Sequence, residues 1–442
     1  MVFFSTFVAV CGSFEFGSCV GYSSPAQFGI MADLKESYAE YSLFGSILTI
    51  GAIIGAITSG RIADWVARKG AMRIASVICI VGWLTISVSS AAPLLDFGRF
   101  LAGCGIGVMS YVVPVYIAEI TPKNLRAALA TVNQLFIVTG ALFAYVIGAL
   151  MSWRILALTG IVPCLVMLVG LFFIPESPRW LAKVGQMKEF EASLQSLRGL
   201  NVDISQEAAE IKDYTNFLQQ ISGDAIMNLF QRKYIHSLIV GVGLIVFQRF
   251  GGVYVFLFYA GTIFESAGFS SRIGSITAAI VQIITTTLGA VLVDVSGRRL
   301  MLLISTVGAC LGCIITALAF VFEVHLRRFI EISGMLVLIG VVVYLGFLQL
   351  GVGGIPWIIM SEIFPINIKG SAGSLTILVS WIGSWIVSYT FNSLFDWSSI
   401  GTFFLYGAIC GLGVLFIWKL VPETKGRTLE EIQASMMNGR RY

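Results

Sequence analysis

Histidine is nearly absent: the 442-residue chain has only 2, His236 and His325, far apart in sequence. That removes the imidazole clusters on which many zinc sites and acid–base sites are built. Charge is scarce as well. Lys, Arg, Asp and Glu make up 12% of the chain, against roughly 25% in an ordinary soluble domain, too little to clothe a water-soluble protein of this size. No basic, aromatic-bearing soluble segment offers itself to nucleic acid. Gly103-x-Gly105-x-Gly107 lies inside an apolar run with no strand before it, so it is not a dinucleotide loop. Cys310-x-x-Cys313 has the spacing of a redox or metal pair, but two further ligands are missing and the setting is apolar. The pair reads as packing. With no nucleophile, metal cluster or cofactor motif, the chain is expected not to be an enzyme and to carry no cofactor.

What is abundant is apolar sequence, 57% of the chain, gathered in runs of about 20 residues. That is the length a helix needs to cross roughly 30 Å of hydrocarbon. Twelve runs lie near 2–24, 42–61, 72–91, 97–118, 128–150, 155–174, 235–262, 273–293, 300–322, 333–359, 372–395 and 400–420, and hold all 8 cysteines. The first contains Glu15, lacks a basic start and has eleven companions, so it reads as a span and not a signal peptide. The fold class expected is an all-α membrane protein. Arg61, Arg68, Lys69 and Arg73 crowd the connection after the second run, whereas Asp33, Glu36 and Glu40 precede it. The positive-inside rule therefore predicts cytoplasmic N- and C-termini, against which Arg327 and Arg328 are exceptions.

The chain repeats itself. Asp64-Trp-Val-Ala-Arg68-Lys69 is echoed by Asp294-Val-Ser-Gly-Arg298-Arg299, each after the second span of its half. Glu119-Ile-Thr-Pro122 is echoed by Glu362-Ile-Phe-Pro365, and Pro175-Glu176-Ser-Pro-Arg179 by Pro422-Glu423-Thr-Lys-Gly-Arg427. The expected organisation is a six-helix bundle over 1–180, a cytoplasmic helical linker over 181–233 with Asp203 or Ser205 as a helix cap, a second bundle over 234–421 and a tail over 422–442. Duplicated six-span halves suit a solute site at the midplane between two rocking bundles.

Six ordered motifs make the chain similar to the sugar porter family of the major facilitator superfamily: Gly60-Arg-Ile-Ala-Asp64, Gly98-Arg99-Phe-Leu-Ala-Gly103, Pro114-Val-Tyr-Ile-Ala-Glu119, Pro175-Glu-Ser-Pro-Arg-Trp180, Gly354-Ile-Pro-Trp357 and Pro422-Glu-Thr-Lys-Gly-Arg-Thr428. Phe16-Gly-Ser-Cys-Val-Gly-Tyr-Ser-Ser-Pro25 and Ser361-Glu-Ile-Phe-Pro365 resemble in particular the plant early-responsive-to-dehydration-like monosaccharide transporters. The resemblance implies two pseudo-symmetric bundles, a sugar as substrate, and a vacuolar or plasma membrane as the location. It also implies a cytoplasmic gate formed by Arg68, Glu119, Arg126, Glu176 and Arg179 with Asp294, Arg298, Arg299, Glu362, Lys369, Glu423 and Arg427.

A sugar site wants amides for hydroxyls and aromatic faces for C–H surfaces. Gln134, Gln248, Gln282 and Gln349 are the intramembrane amides singled out, and the resemblance places them at sugar-contact positions. Glycines and a proline break two helices, at Gly251-Gly252 and at Gly351 to Pro356, offering Trp357 as a stacking platform, with Phe258, Tyr259, Ser380 and Ser384 as further candidates. The family's second span-seven glutamine and its asparagine are here Arg249 and Tyr254, which makes a sugar-sensing receptor without transport an alternative. In proton-coupled members an aspartate of span one works opposite an arginine of span four. Arg99 fills the second position, but Cys19 stands at the first, and a thiol of ordinary pKa about 8.5 is a poor proton carrier beside a carboxylate. Glu15 lies one turn away, and is expected to pair with Arg249 across the cavity as a lock or displaced proton site. Facilitated diffusion is the mechanism expected, with a proton symporter using Glu15 as the alternative.

Overall fold

The computed structural model describes the chain except for residues 123–124, 200, 222–228, 230, 232–233, 326–329, 427–430, 433–435 and 437–442. Arg427, Arg327 and Arg328 therefore lie outside the described residues, as do the side chains of Arg126, Asp294 and Lys369. Among those described there is helix and no strand, and 12 helices are long and apolar enough to cross a membrane. Each falls on one of the twelve runs. The first is the least well bounded by its hydropathy: α1 runs Val2–Leu34, continuing through Pro25 and a polar turn.

The first half continues with α2 (Tyr38–Trp65), α3 (Ala67–Val88), α4 (Ala92–Ile120), α5 (Arg126–Leu150), α6 (Trp153–Thr159) and α7 (Ile161–Gly170), the last two sharing one span. Close packing here comes from absent side chains. A Cβ on Gly103 would sit 2.2 Å from the Leu48 carbonyl, so α2 and α4 touch backbone to backbone, the contact small residues permit in lipid.

Three polar-faced helices follow: α8 (Pro178–Lys183), α9 (Met187–Arg198) and α10 (Ser205–Ile221). They bury Leu181, Phe190, Leu194, Ala208 and Ile211 in a small core of their own. Asp203 accepts the Ser205 amide and hydroxyl, the local turn chemistry expected at this helix start.

The second half comprises α11 (Ile235–Phe250), α12 (Val253–Phe258), α13 (Ala260–Ser266), α14 (Ser271–Ser296), α15 (Arg298–His325), α16 (Ile330–Leu350), α17 (Ile355–Ile363), α18 (Ile366–Trp397) and α19 (Ser399–Leu420). Both expected breaks are present. Gly252 takes a φ of 98° between α11 and α12, and 351–354 separate α16 from α17. Neither leaves bare backbone. The Tyr344 hydroxyl donates to the Gly251 carbonyl, and the Ser305 hydroxyl accepts from the Val352 amide.

The chain divides into two compact units that cut across the sequence halves. One holds Met1–Cys19, Ile47–Ala141 and Arg154–Asp224; the other holds Val20–Ser46, Leu142–Trp153 and Ala225–Tyr442. In the second unit, the linked ends of α1 and α2 are stitched to the second half by neutral hydrogen bonds. Ser24 Oγ accepts the Gly261 amide at 2.8 Å, Thr262 donates to Gln27 Oε1 at 2.6 Å, and Asn392 Nδ2 donates to Ser42 Oγ at 2.7 Å. Tyr145, near the end of α5, donates to the Leu257 carbonyl at 2.8 Å.

Candidate functional site

The repeated acids and bases build a clasp in each unit. In the first, Arg68 grips Glu119 with two parallel bonds, Nε to Oε2 at 3.0 Å and Nη2 to Oε1 at 2.9 Å. The same guanidinium reaches Asp64 at 3.0 Å, which also meets Lys183 at 2.9 Å, and Ser177 donates to Glu119 at 2.6 Å. Glu176 accepts the Lys69 amide in the first turn of α3 and the Ser177 amide. Burial, outweighing those bonds and nearby positive charge, holds its carboxyl above the usual range.

In the second unit Glu423 plays the corresponding part. It accepts the amides of Arg298 and Arg299, the first two residues of α15, at 3.0 and 3.1 Å, and those of Thr424 and Lys425. Burial would raise this carboxyl, but the four amides outweigh it and leave it below the ordinary value. A carboxylate on a helix N-terminus meets both unsatisfied N–H groups and the positive end of the dipole. Arg298 lies 3.7 Å from Glu362, a looser pair than Arg68 and Glu119. The repeat is also visible in backbone strain: Ala67 has φ 65° where its counterpart Gly297 has 94°. Arg179, half-buried, follows Glu176 into α8.

The candidate sugar residues of the second unit fall into two groups. Gln248 Nε2 donates to the carbonyl of Val352 at 2.6 Å, a carbonyl freed by the break before α17. Gln349 Nε2 donates to Gln282 Oε1 at 3.3 Å. Each amide then has an atom to spare: Gln248 Oε1, Gln282 Nε2 and Gln349 Oε1 are buried without a hydrogen-bond partner. A small, mostly apolar cavity with room for about one water lies beside Gln248, Tyr344, Leu348, Val352 and Cys410. Trp357 opens α17 with 37% of its surface exposed.

The second group surrounds Arg249. Its Nε donates to Ser380 Oγ at 2.8 Å, and its guanidinium carbon lies 5.2 Å from the centre of the Tyr254 ring. Tyr254 is buried and packs on Phe258 and Trp381. Phe258 and Tyr259 are fully buried, and Tyr259 donates to the Ser388 carbonyl and stacks on Phe391. They act as core. Ser384 spends its hydroxyl on the Ser380 carbonyl within its own helix. Gln134, half-buried on α5, belongs to the other unit.

Glu15 is completely buried in the first unit. Its Oε1 accepts from Trp83 Nε1 at 2.5 Å and from the Cys19 thiol at 3.2 Å, while Oε2 has no hydrogen-bond partner. Arg99 is fully buried too, and its charge acts on Glu15. Within its own unit Glu15 is held by Trp83 and Cys19, and within the other Arg249 is held by Ser380 and Tyr254. The carboxylate of Glu15 and the sulfurs of Cys79 and Cys164 lie within 4.8 Å of one another, close enough in principle to share a metal ion.

Sequence reasoning missed the seam residues Gln27, Thr262, Ser42 and Asn392. Gln27 and Asn392 are intramembrane amides, the signal that singled out the four glutamines. Trp83 gave no signal, because an apolar tryptophan in a span is ordinary until its N–H is seen on a carboxylate.

A family model described as sugar (and other) transporter matches residues 5–436. Sugar transporter ERD6-like 7 of Arabidopsis thaliana is 55% identical over 98% of this chain and 94% of its own length. Sugar transporter ERD6-like 16 of the same plant is 55% identical over 98% and 90%. Among solved structures, the inward-open conformation of the xylose transporter XylE from E. coli superposes with a TM-score of 0.83 at 26% identity, covering 98% of this chain and 99% of that one. The proton:xylose symporter XylE bound to 6-bromo-6-deoxy-D-glucose gives 0.81 at 26% identity, covering 98% of each. With twelve apolar helices and these likenesses, the chain is a multi-pass membrane protein of the major facilitator superfamily and belongs to the sugar transporter family.

Proposed function

We propose that this sugar transporter moves a monosaccharide of the hexose class, glucose or fructose for instance, by alternating access and facilitated diffusion. The observation that carries the reading is the trio of buried amide atoms on Gln248, Gln282 and Gln349 without partners. Leaving such atoms bare costs about 1–3 kcal/mol each, and ring hydroxyls, which donate and accept, satisfy them. The working parts are the six-helix bundles over 1–180 and 234–421, the linker over 181–233 and the tail over 422–442, with both termini cytoplasmic in a vacuolar or plasma membrane. The two clasps lie at the ends that this orientation places in the cytoplasm. Arg126, Arg179, Asp294, Lys369 and Arg427 complete the proposed gate.

The test is uptake of labelled hexoses by proteoliposomes. Gln282→Leu should lower uptake at least tenfold, with only a modest fall in the melting temperature in detergent, because the bare Gln282 Nε2 is removed while Gln349 Nε2 loses its acceptor. Hexose binding without flux in the unmodified protein would replace the transporter with a sensor. A second reading, proton symport, draws support from the fully buried Glu15 with its unpartnered Oε2. Accumulation driven by a pH gradient and abolished in Glu15→Gln would establish it over facilitated diffusion.

A further inference from the structure

Arg249 sets a charge problem that the spans of its own half do not solve. It lies inside the span Ile235–Phe258, where an ionised side chain is costly unless it finds a partner or an aqueous path. The spans of the second half supply no counter-charge. Their only acids are Glu323, Glu362 and Asp396, each within two residues of a span end. Among the described residues no carboxylate lies within 4 Å of Arg249.

The guanidinium is nevertheless held in place. Ser380 fixes Nε at 2.8 Å, and the Tyr254 ring supports the guanidinium carbon at 5.2 Å. Gly383 makes room, because a Cβ there would come within 3.1 Å of Arg249 Cβ. One edge is therefore used, and the two terminal nitrogens make no hydrogen bond among the described residues. The side chain is only partly buried. The free edge formed by Nη1 and Nη2 is the geometry that takes a carboxylate by two parallel bonds.

We infer that the transported monosaccharide carries a carboxylate, a sugar acid such as a hexuronate, which Arg249 binds in preference to the uncharged hexose. The assignment rests on the transport reading above and names its substrate class. Charge balance selects a carboxylate over a phosphate ester: one negative charge neutralises Arg249, whereas a dianion leaves excess charge inside the span.

The experiment is competition for labelled glucose uptake in proteoliposomes by glucose, glucuronate, glucose 6-phosphate and lactate. Glucuronate is expected to compete at least about tenfold better than glucose, the factor a charge-assisted bond confers. Lactate, lacking the ring, should not compete. In Arg249→Gln the ratio of glucuronate to glucose competition should fall to about one, read as a ratio so that any change in glucose handling cancels, and in Arg249→Lys it should shrink but survive. Equal competition by glucose and glucuronate in the unmodified protein overturns the inference and leaves the hexose transporter standing. So does a stronger effect of glucose 6-phosphate, or an advantage that persists in Arg249→Gln. If neither sugar is taken up or competes, the transport reading fails and the inference with it.

Discussion

Thr262→Val isolates one stitch of the seam that joins the ends of α1 and α2 to the second half. Thr262 donates to Gln27 Oε1 at 2.6 Å, and both side chains are buried. Valine keeps the shape but leaves that oxygen without a donor when the seam is closed, at a cost of about 1–3 kcal/mol. When the seam parts, water solvates Gln27 in either protein, so the whole cost falls on the closed state. The population with the seam open should rise about 5- to 150-fold. A reporter cysteine at Ala260, which is 2% exposed and beside the Gly261–Ser24 bond, reads that population through its rate of labelling by a water-soluble maleimide. The rate should increase by about the same factor in the Thr262→Val background. Thr376→Val is the control, because that hydroxyl bonds only the Ala372 carbonyl of its own helix. Equal labelling rates with threonine and with valine at this position would refute the reasoning, for then the seam would not be the element that moves.

Other consequences follow from the clasps. Ala67 holds a left-handed φ of 65° that glycine adopts without strain, so Ala67→Gly should raise stability by up to about 1 kcal/mol in a detergent melt. Gly297→Ala should lower it by about 2 kcal/mol, since the new Cβ meets Glu423 Oε2 at 2.8 Å as well as the strain. The pH response of the two clasp acids should have opposite sign. The folded Glu423 carboxyl lies below its ordinary value of 4.5, so its contribution is present above pH 4.5 and is lost as pH falls through the depressed value. The folded Glu176 carboxyl lies above 4.5, so the folded state holds the extra proton and stability declines as pH rises from 4.5 through the raised value. Melting curves of Glu423→Gln and Glu176→Gln from about pH 2.5 to 8, each subtracted from the unmodified protein, check both signs.

The spans were legible because lipid imposes a single length and polarity on every crossing, so twelve runs became twelve helices. The broken helices were legible for a related reason: Gly251-Gly252 and Gly351 to Pro356 carry the local rule that breaks them. The clasp acids were legible as a repeated motif, but not in their roles. No sequence rule distinguishes Glu119, gripped by a guanidinium, from Glu176, seated on backbone amides. That difference comes from how α3, α4 and α8 converge. Phe258 and Tyr259 were visible as candidates by aromatic type alone; that both are fully buried, with Tyr259 packed against α18, required the fold. The seam was missed because hydroxyls and amides on four separate helices become a set only after folding. Arg249 was visible as a departure, and its confinement by Ser380, Tyr254 and Gly383 required the fold.

The two carboxylates seated on helix starts also bear on the order of assembly. Lys69 is synthesised more than a hundred residues before Glu176, and Arg298 well over a hundred before Glu423. Each bundle thus waits for its final segment to emerge before the third helix of that half gains its anionic cap. A chain released after Gly170 would contain all six apolar runs of the first half and still lack the latch. Glu176 and Ser177 must leave the ribosome before the clasp of the first unit can close, whereas the seam at Gln27 and Ser42 waits for Thr262 and Asn392, made later still.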